Sequence, residues 1–433
     1  MSDTSDASDT SAKSVVEVVA RVRVGTGHPL ERLSCHPRLP LIAALDSERP
    51  AVRVWSFEGG GLTEVGLVGG DSEVYGDASS WDRYERIPGV AWHPRQPLLV
   101  VAGETGTVQW TPAGVTALDG LPSATCVAFA PDGRAVWASP SSEGDEEDRW
   151  ERSDTLDLAT GAVSAGPRWD TGVVEHPGGS LVATLASDQG ATQVLFARTD
   201  LDTAAPAPGM HVLRRALILD VDGYEAPVFS ADGRRFAVRG NAYANTLHVF
   251  DFPSLRSVLA TELDEPDPQE RPDGTKSWSR QNIAFGPRPD VLWIGTPTGT
   301  LIELDLSTEH ATAHAPLPHP SAVTALATAS TGQLALADGE GGLALLSVDT
   351  DFALPQPDTA QQHLDTAQAA VAAFMTATSE VPSDGDPESH LHLTDGSREW
   401  TPSELDSVTD AAETDPSWLQ IQAAMNSYRG KDS

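Results

Sequence analysis

The chain has 433 residues, with 63 acidic against 28 basic side chains for a formal net charge of −35, and two cysteines. Charge of this sign repels phosphate backbones and anionic headgroups, which argues against nucleic acid and membrane as direct partners and makes a basic protein the easier one. Cys35 and Cys126 are too few for a disulfide framework or a thiolate metal cage, as a reducing compartment permits, and no run approaches the roughly 20 apolar residues of a membrane span.

The opening "MSDTSDASDTSAKS" has neither the basic nor the apolar region of a secretory signal, so a cytoplasmic location is expected, with residues 1–13 disordered. Next, "SVVEVVARVRV" (14–24) alternates apolar and polar residues as a strand does. A unit then recurs: a short apolar strand, a turn with proline or Asp-Gly, a second apolar strand, another turn, and a third strand ending in a large apolar residue. Its first copies are "RLSCHPRLPLIAALDSERPAVRVW" (32–55), "GVAWHPRQPLLVVAGETGTVQW" (89–110), "CVAFAPDGRAVWAS" (126–139) continued by "DTLDLATG", and "GVVEHPGGSLVATLASDQGATQVLF" (172–196). Three more are "APVFSADGRRFAVRGNAYANTLHVF" (226–250), "NIAFGPRPDVLWIGTPTGTLIEL" (282–304) and "VTALATASTGQLALADGEGGLALL" (323–346). The third-strand anchors Trp55, Trp110, Leu156, Phe196, Phe250, Leu304 and Leu346 are 40 to 55 residues apart. Spacing of about 40 to 45 residues, lengthened by insertions, is that of four-stranded blades, each burying both faces between two neighbours. The pattern predicts an all-β, seven-bladed β-propeller of antiparallel blades over residues 14–355.

The strings "VRVWSF", "VFDF" and "LDLATG" at third-strand ends, "APDG", "SADG" and the His-Pro pairs at the first turn, and Gly27-His28 ahead of the first copy carry a resemblance. On these residues the chain resembles the tryptophan–aspartate (WD) repeat β-propeller family over roughly residues 14 to 353. The seventh copy has at most a short fourth strand near "DTDFALP", and the resemblance implies that the N-terminal strand completes that blade and closes the ring. It also implies that His28 and His319 hydrogen-bond within their blades. Its functional implication is a non-catalytic protein–protein interaction scaffold.

His36, His93 and His176 precede proline where other copies carry "APDG" or "SADG", so they read as turn formers on separate blades. "DVDG" (220–223) with Glu225 lacks the oxygen ligands of a calcium loop, and "HLHL" (390–393) sets His390 and His392 on one strand face without a third ligand. No nucleophile–base pair, phosphate loop or ligand cluster stands out, so no catalytic residue, cofactor or metal is expected.

Three insertions are more informative. Residues 70–87 and 261–281 join an outer strand to the next inner strand, and residues 140–153 join second and third strands, connections that emerge on one rim. They carry Trp81 with Arg83, Tyr84 and Arg86; Trp150 with Arg149 and Arg152; and Trp278 with Arg280, while Trp169 beside Arg168 sits in a similar linker. Tryptophan, tyrosine and arginine dominate binding hot spots, so these residues are candidate partner contacts. The same residues would equally plug grooves between blades, with arginines neutralising Asp82, Glu85 and Glu151, or line a small-molecule pocket. The competing function is a propeller enzyme of hydrolase or lactonase type working at the channel mouth. Acids or histidines converging on inner-strand ends of that rim would favour it.

From residue 356 the repeat stops, and the tail carries 14 acids against three bases. Leu364, Ala367, Val371 and Phe374 have helical spacing, with Asp358 as a cap. "SHLHLTDGSREW" reads as a hairpin about Asp395-Gly396, and "TPSELDSV" as a helix capped by Thr401 with Pro402 first and Glu404 closing a capping box. The last helix sets Trp418, Ile421, Met425 and Tyr428 on one face before Gly430, with Trp418 and Tyr428 as candidate contacts. This acidic segment (356–433) forms a small α+β module, docks on the propeller, or presents its helices to a partner.

Overall fold

The computed structural model describes residues 16–429 except 79, 104–105, 123, 144–148, 189, 200–208, 221–222, 241–243, 265–277, 349–356 and 383–388. The expected disordered head and the "DTDFALP" stretch lie outside the described residues. Seven antiparallel sheets follow one another along the chain as separate ladders, in the repeated-blade architecture of a β-propeller. Blade 1 comprises Leu30–Cys35, Leu41–Asp46, Val52–Ser56 and Thr63–Val68; blade 2 comprises Gly89–Trp92, Leu99–Gly103, Gly106–Thr111 and Gly114–Ala117. Blade 3 comprises Cys126–Phe129, Ala135–Ser139, Ser153–Asp157 and Val163–Gly166, and blade 4 comprises Thr171–Glu175, Leu181–Asp188, Ala191–Thr199 and Arg215–Asp220, with Met210–Val212 beside it. Blade 5 comprises Val228–Phe229, Arg235–Gly240, Thr246–Asp251 and Ser257–Glu262; blade 6 comprises Ile283–Phe285, Val291–Gly295, Leu301–Asp305 and His310–His314. Blade 7 comprises Val323–Thr328, Leu334–Asp338 and Gly342–Ser347, and its fourth strand is the N-terminal Glu17–Arg23, paired antiparallel with Gly342–Ser347. Each repeat read from the sequence is one blade.

Middle strands such as Ala135–Ser139 and Leu334–Asp338 are buried along their whole length, whereas the outer Gly114–Ala117 is exposed throughout. That gradient follows from stacking: a middle strand has a neighbouring blade on each face. Apolar clusters accordingly bridge consecutive blades, as Val54 with Trp92, Val100 with Val136, Trp137 with Val182, Phe196 with Phe236, Val249 with Phe285, and Trp293 with Leu336. A further cluster joins Leu33 and Ile42 of blade 1 to Ala335 and Leu343 of blade 7.

Side-chain bonds to neighbouring backbone reinforce these seams. Trp92 donates its indole N–H to the Ser34 carbonyl at 2.8 Å, Thr324 donates to Leu30 at 2.6 Å, Ser139 donates to Trp169, and Thr328 donates to Phe285. The His-Pro turns serve the same purpose. His36 Nδ1 accepts the backbone N–H groups of Arg38 and Leu39, both at 3.0 Å, while Nε2 lies 2.8 Å from the Gln96 carbonyl of blade 2. His176 repeats this with Gly178 at 3.0 Å and the Gly233 carbonyl of blade 5 at 2.9 Å. His93 accepts from Arg95 and Gln96 and meets Phe129 of blade 3 edge-on. A Cβ on Gly233, which has φ +65°, would stand 2.3 Å from the His176 ring, so the Asp-Gly turn of blade 5 is shaped to receive blade 4.

Each imidazole works neutral, with the proton on Nε2, because Nδ1 is an acceptor. Burial lowers the pKa of His176 from 6.5 to about 4. Between those values the unfolded chain binds the extra proton and the native one does not, so stability falls as pH drops. His176 alone accounts for roughly 3 kcal/mol across that window. We expect the urea midpoint to fall from pH 7 to pH 4.5 by more in the native chain than in His176→Gln, which keeps a donor and an acceptor but does not titrate. Equal falls would refute the assignment.

The C-terminal segment docks on blades 4 and 5. Helix α1 (Ser80–Arg86) lies in the first long insertion; helices α2 (Pro357–Thr376), α3 (Pro402–Ser407) and α4 (Ser417–Arg429) follow blade 7. α2 inserts Ala370, Val371 and Phe374 into the cluster between blades 4 and 5, with Leu364 left exposed at its outer edge. The hairpin His392–Thr394 and Glu399–Trp400 extends blade 4 by parallel pairing with Arg215–Asp220. Thr401 and Glu404 form the expected capping box. α4 corrects the sequence reading: Trp418, Leu419, Ala423 and Asn426 face inward, and Ile421, Met425 and Tyr428 face out. The reason is polar. Asn426 donates to the Leu405 and Val408 carbonyls at 2.7 and 2.8 Å, capping the end of α3, which turns Met425 and Tyr428 to solvent.

Candidate functional site

The inner strands of all seven blades border one channel of about 1390 Å³, to which Arg32, Val90, Cys126, Thr171, Val228, Ile283 and Leu326 contribute in turn. At one end a recess of about 310 Å³ adjoins it. Here α1 meets the starts of the inner strands. Arg83 pairs with Glu31, donates to the Ser47 carbonyl at 3.0 Å and sits 4.1 Å over the Tyr75 ring. Arg86 reaches the same ring and the Val74 carbonyl at 3.4 Å. Arg83 thus ties the insertion to Glu31 and Ser47 of blade 1, both arginines pack on the insertion's own buried Tyr75, and Tyr84 lines both the recess and the channel.

Glu225 is the hub of the mouth. Its carboxylate accepts from Arg32 at 3.4 Å and from the Gln281 amide at 3.1 Å, and Arg280 stands 3.9 Å away. The entries of blades 1 and 6 therefore converge on one buried acid at the entry of blade 5. Beside it Asp170 accepts the Ser187 backbone N–H and faces Arg168 at 3.7 Å. Burial pushes the Asp170 and Glu31 pKa values up, against the opposing pull of Arg168 and Arg83, while Glu225 holds the Arg32 guanidinium more firmly protonated. The Cys126 thiol is pushed up to about 11, chiefly by burial, so it stays a thiol at neutral pH and is no thiolate nucleophile. Glu31 Oε1, Asp170 Oδ1 and Arg168 Nε are buried polar atoms without a hydrogen-bond partner among the described residues.

The structure brings together Arg83, Tyr84, Trp150 and Arg280 of the sequence-identified residues, around this mouth. Trp81 lies on α1, with its side chain outside the described residues, and Arg152 is exposed. Trp169 and Trp278 are corrections as surface contacts. Trp169 is fully buried among Trp137, Val182 and Ala197, and Trp278 packs on Ile283 and Phe285 with its N–H on the Asp264 carbonyl at 3.1 Å. Both plug the groove between blades. Trp418 likewise packs edge-on against Trp400 at 5.0 Å, beneath the hairpin, whereas Tyr428 is 71% exposed. His28 pairs with Glu48 at 3.3 Å.

Sequence reasoning gave no channel role to Glu31, Arg32, Asp170, Glu225 and Gln281, and weighed Glu225 only beside a calcium-like loop. A signal existed: once the copies are aligned on their first turns, all five lie four to six residues ahead of that turn, the position that opens into the channel. Among the described residues no three His, Cys, Asp or Glu side chains group as metal ligands do, and no helix is long and apolar enough to cross a membrane. No family model matches the chain, and no curated protein matches it by sequence.

Proposed function

We propose that the seven blades close into a WD-repeat-like propeller ring and that the protein is a non-catalytic, cytoplasmic interaction scaffold whose contact surface is the insertion rim. The observation that carries this reading is the meeting of Tyr84, Trp150 and Arg280, from three different insertions, at one channel mouth. Loops held by a rigid scaffold and rich in tyrosine, tryptophan and arginine are what interaction surfaces use. The pairing of Glu17–Arg23 with blade 7 and the shared core of blades 7 and 1 support closure. Free, half-buried Cys35 and Cys126 suit a reducing compartment.

The test is affinity capture from native extract with the full chain and a Tyr84→Ala/Arg280→Ala variant. A stoichiometric partner held by the first and lost by the second, with both equally stable, is the expected result. No stoichiometric partner with either bait would sink the scaffold reading. One observation favours a second reading, a hydrolase or lactonase: Asp170, Glu225 and Glu31 converge on inner-strand ends of this rim. Turnover of ester or lactone substrates abolished by Glu225→Gln would establish it.

A further inference from the structure

The inner strands start at the mouth, so residues at or just past their ends ring the opposite end of the channel. Pro37, Phe229, Phe285 and Thr328 stand there with Glu175, the last residue of the blade 4 inner strand. The walls of this end are mostly apolar. Glu175 is an exposed residue that lines the channel, and among the described residues it makes no hydrogen bond and no ion pair. Two cations act on it from a distance, Arg38 and Arg95, exposed on the first turns of blades 1 and 2. The adjoining His176 is neutral and bonded into the seam with blade 5. Surrounding protein pushes the Glu175 pKa from 4.5 up to about 7 against the pull of both arginines, because the carboxylate loses water there without gaining a donor.

We propose that this end of the channel is a binding site for a small primary amine, with its ammonium group on the Glu175 carboxylate and its apolar body against Pro37, Phe229 and Phe285. Three features select this class. An ammonium group supplies both the charge and the hydrogen-bond donors that Glu175 lacks. A metal ion needs several ligands, and no three His, Cys, Asp or Glu side chains group together among the described residues. Finally, Glu175 lines a channel of about 1390 Å³, a space that admits a small molecule with an apolar body and not a protein surface. The net charge of −35 draws a cation toward it and opposes an anion. The site lies at the end opposite the insertion rim, so it stands whether or not a protein docks there.

Titration calorimetry on the full chain tests this, with phenethylamine as probe, phenethyl alcohol as its neutral counterpart, phenylacetate as the anion, and a lysine-containing peptide as the macromolecular alternative. Saturable binding of one phenethylamine per chain is expected, with weak or absent binding of the others. Glu175→Gln removes no hydrogen bond, so it should not lower the thermal midpoint, yet it should weaken phenethylamine by about tenfold or more. The amine stays protonated up to pH 8, and its contact favours the ionised carboxyl, so binding near pH 7 releases a proton from Glu175. Affinity should therefore rise about tenfold from pH 6 to pH 8 in the native chain and stay level in Glu175→Gln. Should that variant not fold, the heat of proton release by the native chain, read in two buffers of different ionisation enthalpy, decides. No saturable phenethylamine binding, equal binding of the alcohol, preference for phenylacetate or the peptide, undiminished binding in folded Glu175→Gln, or binding without proton release each overturns the proposal.

Discussion

Removal of residues 1–25 should lower the thermal midpoint of the entire bladed body, not merely detach an edge. The strand Glu17–Arg23 pairs with Gly342–Ser347 at six positions, and Val24 continues the ladder by donating to the Gly341 carbonyl at 2.8 Å. Arg21 reaches Asp338, whose side chain is 1% exposed, at 2.9 Å, and buried Val24 belongs to the cluster shared by blades 7 and 1. At a net worth of about 1 kcal/mol per hydrogen bond, plus the Val24 burial, the loss is on the order of 5 kcal/mol or more. It also bares Gly342–Ser347 as an edge open to intermolecular pairing. Calorimetry should show one transition moved down by several degrees, with aggregation at high concentration. A main transition left in place would mean that the strand is an ornament of blade 7.

Phe374→Ala should be the most damaging single change in the C-terminal segment. Its ring is fully buried and stands 5.0 Å from both Phe196 of blade 4 and Phe252 beside blade 5, so truncation opens a cavity between two blades and not only beneath α2. Such losses cost about 3 to 5 kcal/mol. Leu364→Ala, on the same helix at a residue 38% exposed, should change stability by less than about 0.5 kcal/mol. Urea unfolding of the two variants with unchanged slopes distinguishes these expectations. Equal midpoints would show that α2 rests on the blades without contributing to their core.

The blades were legible because each carries its own signal of apolar strands and a large apolar anchor, with a Pro or Asp-Gly first turn in all but the seventh. Even the fourth strand of blade 7 could be read, since "SVVEVVARVRV" alternates where that blade lacks an outer partner. Trp169 and Trp278 were ambiguous for a physical reason. Tryptophan beside arginine has the same local sequence whether it plugs a groove or faces a partner, and only the neighbouring blade decides. The mouth was hidden differently, because Arg32, Glu225 and Arg280 are brought together by the arrangement of blades and share no local motif. Likewise the face of α4 was misread because its inward side is chosen by Asn426 bonding to α3, a polar contact that apolar spacing does not register.

The two kinds of seam bond have a consequence for how the molecule opens. Hydroxyl donors such as Thr324 and Thr328 are indifferent to acid, but the imidazoles at the junctions of blades 1 with 2, 2 with 3 and 4 with 5 lose their acceptor on protonation. Acid strong enough to protonate them therefore weakens three seams and leaves the others untouched. Blades 3 and 4, and blades 6, 7 and 1, are joined by hydroxyl bonds and would stay together while the imidazole seams loosen first.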